Sequence, residues 1–195
     1  MVPGFDDKIR ASNTSDDLAL TVSVRESDKA KPYIPRSSVI NDGWSKDDEA
    51  TATCYCGTVQ LAFPISGPGY VNSFVCNCTD CRKLTASMFT SGFIIDDDYL
   101  KHIRGQSNLK SYAQKETTIG HNLMTNFFCN TCGSLMYRVS ERLPGHSILR
   151  LGTVDDFNLV ETKLKPTMEA FIKDRVSWIS GVLGESVKKF DTMPA

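Results

Sequence analysis

Seven cysteines stand in three tight groups: Cys54-x-Cys56, Cys76-x-Cys78-x-x-Cys81 and Cys129-x-x-Cys132. Zinc takes thiolates in tetrahedral geometry, and two ligands about two to four residues apart share one ion through a tight turn. CNTCGS, which contains Cys129 and Cys132, fits such a knuckle, because Gly133 can take positive φ and curl backbone amides toward the sulfurs. CYCG is shorter, but Gly57 stands to Cys56 as Gly133 stands to Cys132. Each pair adjoins a strand-like segment, TVQLAF or SLMYRVS. Two similar turns could therefore converge as four ligands of a closed, structural zinc site: Cys54, Cys56, Cys129 and Cys132.

Cys76, Cys78 and Cys81 remain. Residues two apart on a strand share a face, and Cys81 reaches them only through a turn, for which Asn77, Thr79 and Asp80 are suited. Three thiolates leave zinc one open position for water or a substrate thiol, the form of a catalytic site. Closure by His102, His121 or His146 would make this second site structural instead, although each histidine alone reads as a strand or surface residue. A thioredoxin-like pair at Cys78 and Cys81, or at Cys129 and Cys132, lacks the βαβ context that it needs. Arg82, directly after Cys81, is either an anion clamp for a substrate carboxylate or a solvated turn residue. Asp155 and Asp156 read as turn residues, and Phe171 and Trp178 as core.

These cysteines belong to a chain of 195 residues, enough for one domain with a proper core. An odd cysteine count argues against a complete disulfide framework. The net charge of −1 gives no electrostatic reason to expect nucleic acid or an anionic membrane as partner. The first residues contain no apolar run of signal-peptide length, and no stretch approaches the roughly 18 apolar residues of a membrane span. A cytoplasmic protein with a small-molecule substrate is the expectation.

The elements that must position the cysteines are short and β-rich. Residues 1–48 are polar, charged and aperiodic, and read as an N-terminal extension, partly disordered or draped over the core, with one strand possible at residues 18–25. From residue 49 to 195 the chain reads as one zinc-binding domain. TVQLAF, YVNSFVC, SMFTSGFII, TIGHNLMTNFFC, SLMYRVS and HSILRLGTV are separated by turn-forming residues, the pattern of a mainly β domain. Short helices are possible near DDYLKHI and RVSWISGVLG.

The order CxCG, CxCxxCR, FCxxCG and GTVD, with the closing segment KPTMEAFIKDRVSWI, resembles the glutathione-dependent formaldehyde-activating family, which includes centromere protein V-like domains. The resemblance spans residues 50–194. It implies a β-tent fold related to methionine sulfoxide reductase B, with two zinc ions per chain. It assigns Cys54, Cys56, Cys129 and Cys132 to structural zinc, and Cys76, Cys78 and Cys81, with Arg82 beside them, to the catalytic site. The implied activity is that of a carbon–sulfur lyase, making or cleaving the adduct of a thiol such as glutathione with a carbonyl compound. A zinc-stabilised thiol carrier or protein-binding module without turnover is the alternative. Two positions depart from the family pattern. Ala86 stands where glycine is frequent, and Phe127 stands where a basic residue is frequent. With the long N-terminal extension, they point to a specialised member acting on a substrate other than formaldehyde.

Overall fold

Two sheets carry the chain in a computed structural model that describes residues 23–37 and 39–194. The smaller has three strands: β1 (Glu49–Thr53), β2 (Gln60–Pro64) and β5 (Lys101–Arg104), in the order β1-β2-β5. The larger has eight: β3 (Tyr70–Cys76), β4 (Thr90–Asp96), β6 (Leu109–Gln114), β7 (Met124–Cys129), β8 (Leu135–Ser140), β9 (His146–Arg150), β10 (Met168–Ala170) and β11 (Lys188–Phe190). Its order is β11-β10-β3-β4-β9-β8-β7-β6. All its pairs are antiparallel except β3 with β10 and β10 with β11. Among the described residues two short α-helices, α1 (Thr79–Thr85) and α2 (Phe157–Glu161), and several 3-10 turns connect the strands.

Side chains alternate between the faces of a strand, and that period of two divides the large sheet into two environments. On one face, Phe93, Ile95, Tyr137 and Leu149 join Ala52, Leu61 and Phe63 of the small sheet in the main core. Phe63 and Phe93 meet with ring centroids 4.7 Å apart, in a tilted arrangement favourable to aromatic pairs. The opposite face carries the intervening residues: Phe74 and Cys76 on β3, Ile148 on β9, and Cys81 from α1, which form a second buried cluster. Register fixes this division. Phe93 pairs with Leu149 and Tyr137 also pairs with Leu149, whereas Ile94 and Arg138 both pair with Ile148.

The helix α1 begins where β3 ends, and Cys78 is its N-cap, with the Cys81 amide donating to Cys78 Sγ at 3.4 Å. The expected turn between Cys78 and Cys81 is thus the first turn of a helix. At the other end Ala86 adopts the left-handed conformation, φ 50° and ψ 36°, and its amide returns to the Arg82 carbonyl. Glu169 on β10 braces the same region from beneath. Its buried carboxylate accepts from Asn77 Nδ2 at 3.0 Å, from Arg175 and from the Val182 amide. Asn77 lies between two cysteines of the triad, so this network ties the triad's backbone to the C-terminal segment.

Several sequence expectations are corrected. DDYLKHI forms a 3-10 turn at Asp97–Tyr99 followed by β5, and RVSWISGVLG contains no helix; its Val and Ile side chains are β-branched, and Gly181 and Gly184 sit at positive φ. Trp178, expected in the core, is 73% exposed in that loop. Of the strand expected at residues 18–25, residues 18–22 lie outside the described residues, and Val24 and Arg25 lie in a turn. Asp155 and Asp156 do more than turn the chain. Asp155 accepts from the Thr51 and Thr53 hydroxyls at 2.6 Å, while Asp156 caps α2 and accepts from the Tyr33 amide. Through that bond, and through Ser27 and the Asp28 and Lys31 carbonyls on Asn158, residues 23–33 are held against α2.

Candidate metal centres and cleft

The sulfurs of Cys54, Cys56, Cys129 and Cys132 lie within 4.8 Å of one another. Two of the separations are 3.5 Å, between Cys54 and Cys56, and 3.7 Å, between Cys56 and Cys129. A zinc–sulfur bond of about 2.3 Å in tetrahedral geometry sets edges of about 3.8 Å, so the donor set fits zinc. The two knuckles are built alike. The Gly57 amide donates to the Cys54 carbonyl and the Gly133 amide to the Cys129 carbonyl, both at 2.8 Å, with φ of 78° and 74° at the two glycines. One knuckle leaves β1 of the small sheet and the other leaves β7 of the large one, so the cluster joins the two sheets.

Neutral donors surround these sulfurs. The Val59 amide points at Cys54 Sγ and Asn108 Nδ2 at Cys129 Sγ, each at 3.2 Å. Burial pushes the Cys54 thiol up to about 12. Cys132 moves the other way, to about 6: burial opposes the shift, but hydrogen bonds from the Ser134 side chain and backbone and from Cys56 outweigh it. A closed site of this kind has its thiolates stabilised chiefly by the ion they share.

Cys76, Cys78 and Cys81 form the second cluster, again with sulfurs within 4.8 Å of one another. Among the described residues no histidine, aspartate or glutamate joins it. His102 faces the Tyr137 hydroxyl, His121 the Lys115 carbonyl and His146 the Pro144 carbonyl. The set of three thiolates suits a zinc ion with one position left open. That position borders a cleft of about 550 Å³, whose walls include all three cysteines. Tyr112, Gln114, Met124, Asn126, Arg138 and Ser140 supply the opposite wall, all from one face of β6, β7 and β8.

Buried charge distinguishes this cluster from the first, where the nearby guanidinium, Arg104, is part-exposed and paired with Asp42. Arg138 and Arg150, on β8 and β9, are only 6% and 5% exposed. Arg138 Nη1 lies 3.6 Å from Cys81 Sγ, while Arg150 Nη1 donates to Thr90 Oγ1 at 3.1 Å. Sulfur hydrogen bonds from Cys76 and Cys78, together with the two guanidinium charges, hold the Cys81 thiol down at about 2. Cys76 is displaced upward, first by its bonds to Cys78 and Cys81 and then by burial. Burial and the neighbouring Arg138 bring Arg150 down to about 10, which leaves it charged at neutral pH.

The structure locates the remaining sequence candidates plainly. Arg82 lies on α1, half-buried, with Nη1 donating to the Asp174 carbonyl at 3.1 Å and Nη2 beside the Met88 sulfur; it does not line the cleft. Phe127 stacks on Tyr137 with centroids 4.6 Å apart, on the sheet face away from the triad. Its departure from the family pattern therefore touches the core rather than the cleft. Phe171 packs beside the triad and lines the cleft. The sequence reading missed Arg138 and Arg150. The available signal was an arginine at an inward-facing position in each of two strands, SLMYRVS and HSILRLGTV.

A mainly β protein with two sheets, one four-cysteine cluster joining them and one open three-cysteine cluster is by its donor sets a candidate for two zinc ions. Residues 49–174 match the model of the family described as glutathione-dependent formaldehyde-activating enzyme, and the chain belongs to that family. No curated protein matches the chain. Among solved structures, a Rhodobacter sphaeroides structural-genomics protein aligns with 53% of this chain and 85% of its own at 21% identity, with a TM-score of 0.39, too distant to bear on mechanism. No described helix is long and apolar enough to cross a membrane.

Proposed function

We propose that the protein is a zinc-dependent carbon–sulfur enzyme that makes or breaks the bond between a thiol sulfur and a carbonyl carbon at Cys76, Cys78 and Cys81. One observation carries this reading: three converging cysteine sulfurs open onto a cleft of about 550 Å³, with no fourth protein ligand among the described residues. A zinc ion held there supplies Lewis acidity and an open position for the substrate's sulfur or oxygen. The protein's own residues do the rest. Cys78 starts α1 and Cys81 lies in its first turn, so the helix fixes two ligands relative to Cys76 on β3. Met124 and Phe171 give the cleft an apolar lining beside the triad, and exposed Leu84, Tyr112 and Ile119 stand at its border.

Glutathione and formaldehyde are the substrates that the family suggests. The apolar mouth supports a bulkier or more apolar carbonyl or thioether partner, as expected of a specialised member. Arg82, tied to the Asp174 carbonyl, is placed to hold α1 in position, and direct contact with substrate falls to the cleft residues. The four-cysteine cluster is read as the structural zinc site, and the two sheets that it joins as the β-tent fold shared with methionine sulfoxide reductase B. Residues 1–48 are read as an extension to the zinc-binding domain at 49–195. Seven unpaired cysteines suit a reducing compartment such as the cytoplasm.

Metal analysis with Cys78→Ser tests the function. The wild type is expected to hold two zinc ions and to consume an aldehyde in the presence of a thiol. The variant is expected to hold one, keep its fold and lose turnover. A fully active Cys78→Ser protein would sink the reading. Glutathione binding without consumption of any aldehyde or thioether would favour the thiol-carrier alternative.

A further inference from the structure

Arg138 and Asn126 are direct partners in the register of β7 and β8, and both project from the sheet face that carries the triad. Both are nearly inaccessible, at 6% and 4% exposure, and both line the cleft. Arg138 Nε and Asn126 Oδ1 are buried with no hydrogen-bond partner among the described residues. Natural proteins seldom bury a donor and an acceptor side by side with neither satisfied, since each such group costs on the order of 1–3 kcal/mol. A charged guanidinium is costlier still without a counter-charge. No carboxylate pairs with Arg138 or Arg150 among the described residues. The polar atom of the triad that Arg138 meets is Cys81 Sγ, 3.6 Å from its Nη1.

Charge then limits what the fourth ligand can be. Three thiolates around a divalent ion would sum to −1, and Arg138 and Arg150 add +2. A neutral ligand would leave an unbalanced buried positive charge, whereas an anionic sulfur or oxygen would cancel it.

We propose that Arg138 is a further catalytic residue of the triad site. It binds the oxygen on the carbon that is attached to the substrate's sulfur, and Asn126 Oδ1 accepts the proton of that oxygen when it is a hydroxyl. That carbon, which bears both sulfur and hydroxyl, is the thiol–carbonyl adduct of the proposed function, on which this assignment of Arg138 and Asn126 rests. In the forward direction the thiolate sulfur forms its bond to the carbonyl carbon, the C=O π pair moves to oxygen beside the guanidinium, and a solvent proton completes the hydroxyl. In reverse the hydroxyl proton leaves to solvent, the C=O bond re-forms and the C–S pair returns to sulfur. Preorganised donors aimed at a developing oxyanion contribute most where water is excluded, as on this buried wall. Arg150 is kept out of this role, since it does not line the cleft and its Nη1 donates to Thr90 Oγ1.

This assignment rests on the triad being the thiol site, and two probes separate the two claims. Thioacetate carries sulfur and oxygen on one carbon; ethanethiol carries the sulfur alone. Their affinities are read from the charge-transfer bands of the cobalt(II)-substituted full chain, with metal content and circular dichroism as controls. Arg138→Met is expected to weaken thioacetate at least about tenfold more than ethanethiol, the size of one hydrogen bond to a charged group. Arg138→Lys keeps the charge but loses the planar fork, and is expected to show a smaller loss of the same kind; it carries the test where Arg138→Met does not fold. Asn126→Ala is expected to leave thioacetate affinity unchanged, because that anion has no hydroxyl proton, and to slow adduct formation from thiol and aldehyde about tenfold. Equal weakening of both probes by the Arg138 variants, or no weakening, overturns the oxygen site while leaving the triad as the thiol site. Cobalt bands that neither probe perturbs in the wild type overturn both.

Discussion

The two cysteine clusters use the same donor atom in opposite ways. The four-cysteine cluster lies between the sheets, takes neutral donors from Val59 and Asn108, and contributes no residue to the cleft that the triad borders. The triad lies on the other face of the large sheet, has two buried arginines for neighbours and opens onto a cavity. Ligand number alone is therefore a poor guide to role. The surroundings decide whether a thiolate cluster fastens backbone or presents a reactive position.

The largest expected effect tests that division directly. Cys129→Ser removes a ligand between the sheets, and metal binding of this kind is folding free energy. The variant should lose cooperative unfolding or at least ~5 kcal/mol of stability, seen as a collapsed thermal melt by circular dichroism. Cys78→Ser should melt as a cooperative fold with one zinc, because serine is itself a good N-cap and α1 keeps its start. If the two variants unfold alike, the contrast is lost.

Chelation kinetics give the next contrast. An ion held by the triad would leave through the cleft, whereas one held between the sheets would leave only after local opening. Treatment of the two-zinc protein with excess chelator should be biphasic, with phases separated by about tenfold or more, and the far-ultraviolet spectrum should change only in the slow one. A single phase, or unfolding in the fast one, would show that both sites are structural.

The support beneath the triad should respond to acid. Glu169 is held below the usual carboxylate range: burial alone would raise it, but bonds from Asn77, Arg175 and Val182 outweigh burial. A depressed carboxyl stabilises fully above its unfolded value, about 4.3, and that contribution is lost as pH falls through the lower folded value. Glu169→Gln leaves Arg175 without its partner and should cost about 3 kcal/mol in urea unfolding at pH 7. The gap from wild type should narrow as pH drops below about 4.3. A gap that widens instead would reverse the sign assigned to this carboxyl.

How much of this was legible in the sequence follows from the range of the forces involved. The grouping of four and three cysteines could be read because knuckle spacing and the following glycine act over a few residues. Strands such as YVNSFVC and SLMYRVS could be read because alternation is local. The pairing of Arg138 with Asn126 was not readable, since strand register is set by contacts across the sheet. The helix α1 was hidden because cysteine is an uncommon N-cap and seven residues carry little periodicity. The strands β10 and β11 are three residues each and are held by parallel neighbours rather than by their own pattern. Trp178 was misplaced for the same reason, as hydrophobicity predicts burial only where an element presents it inward.

The smallest prediction returns to the turns that carry the sulfurs. At both knuckles of the closed site the left-handed position is glycine, Gly57 and Gly133. At the end of α1, which carries Cys81, that position is Ala86 with φ 50°. A residue with a Cβ pays roughly 1 kcal/mol there, and part of this is offset by the greater backbone freedom of glycine in the unfolded chain. Ala86→Gly should therefore stabilise the protein by about 0.5 kcal/mol, a rise of roughly 1–2 °C in Tm for a chain of this size. Zinc content should stay at its wild-type value, since neither Cys78 nor Cys81 moves. A melting temperature that falls would mean that alanine limits fraying of α1 more than it strains the cap. The triad would then depend on a stiffened turn, whereas the closed site depends on permissive ones.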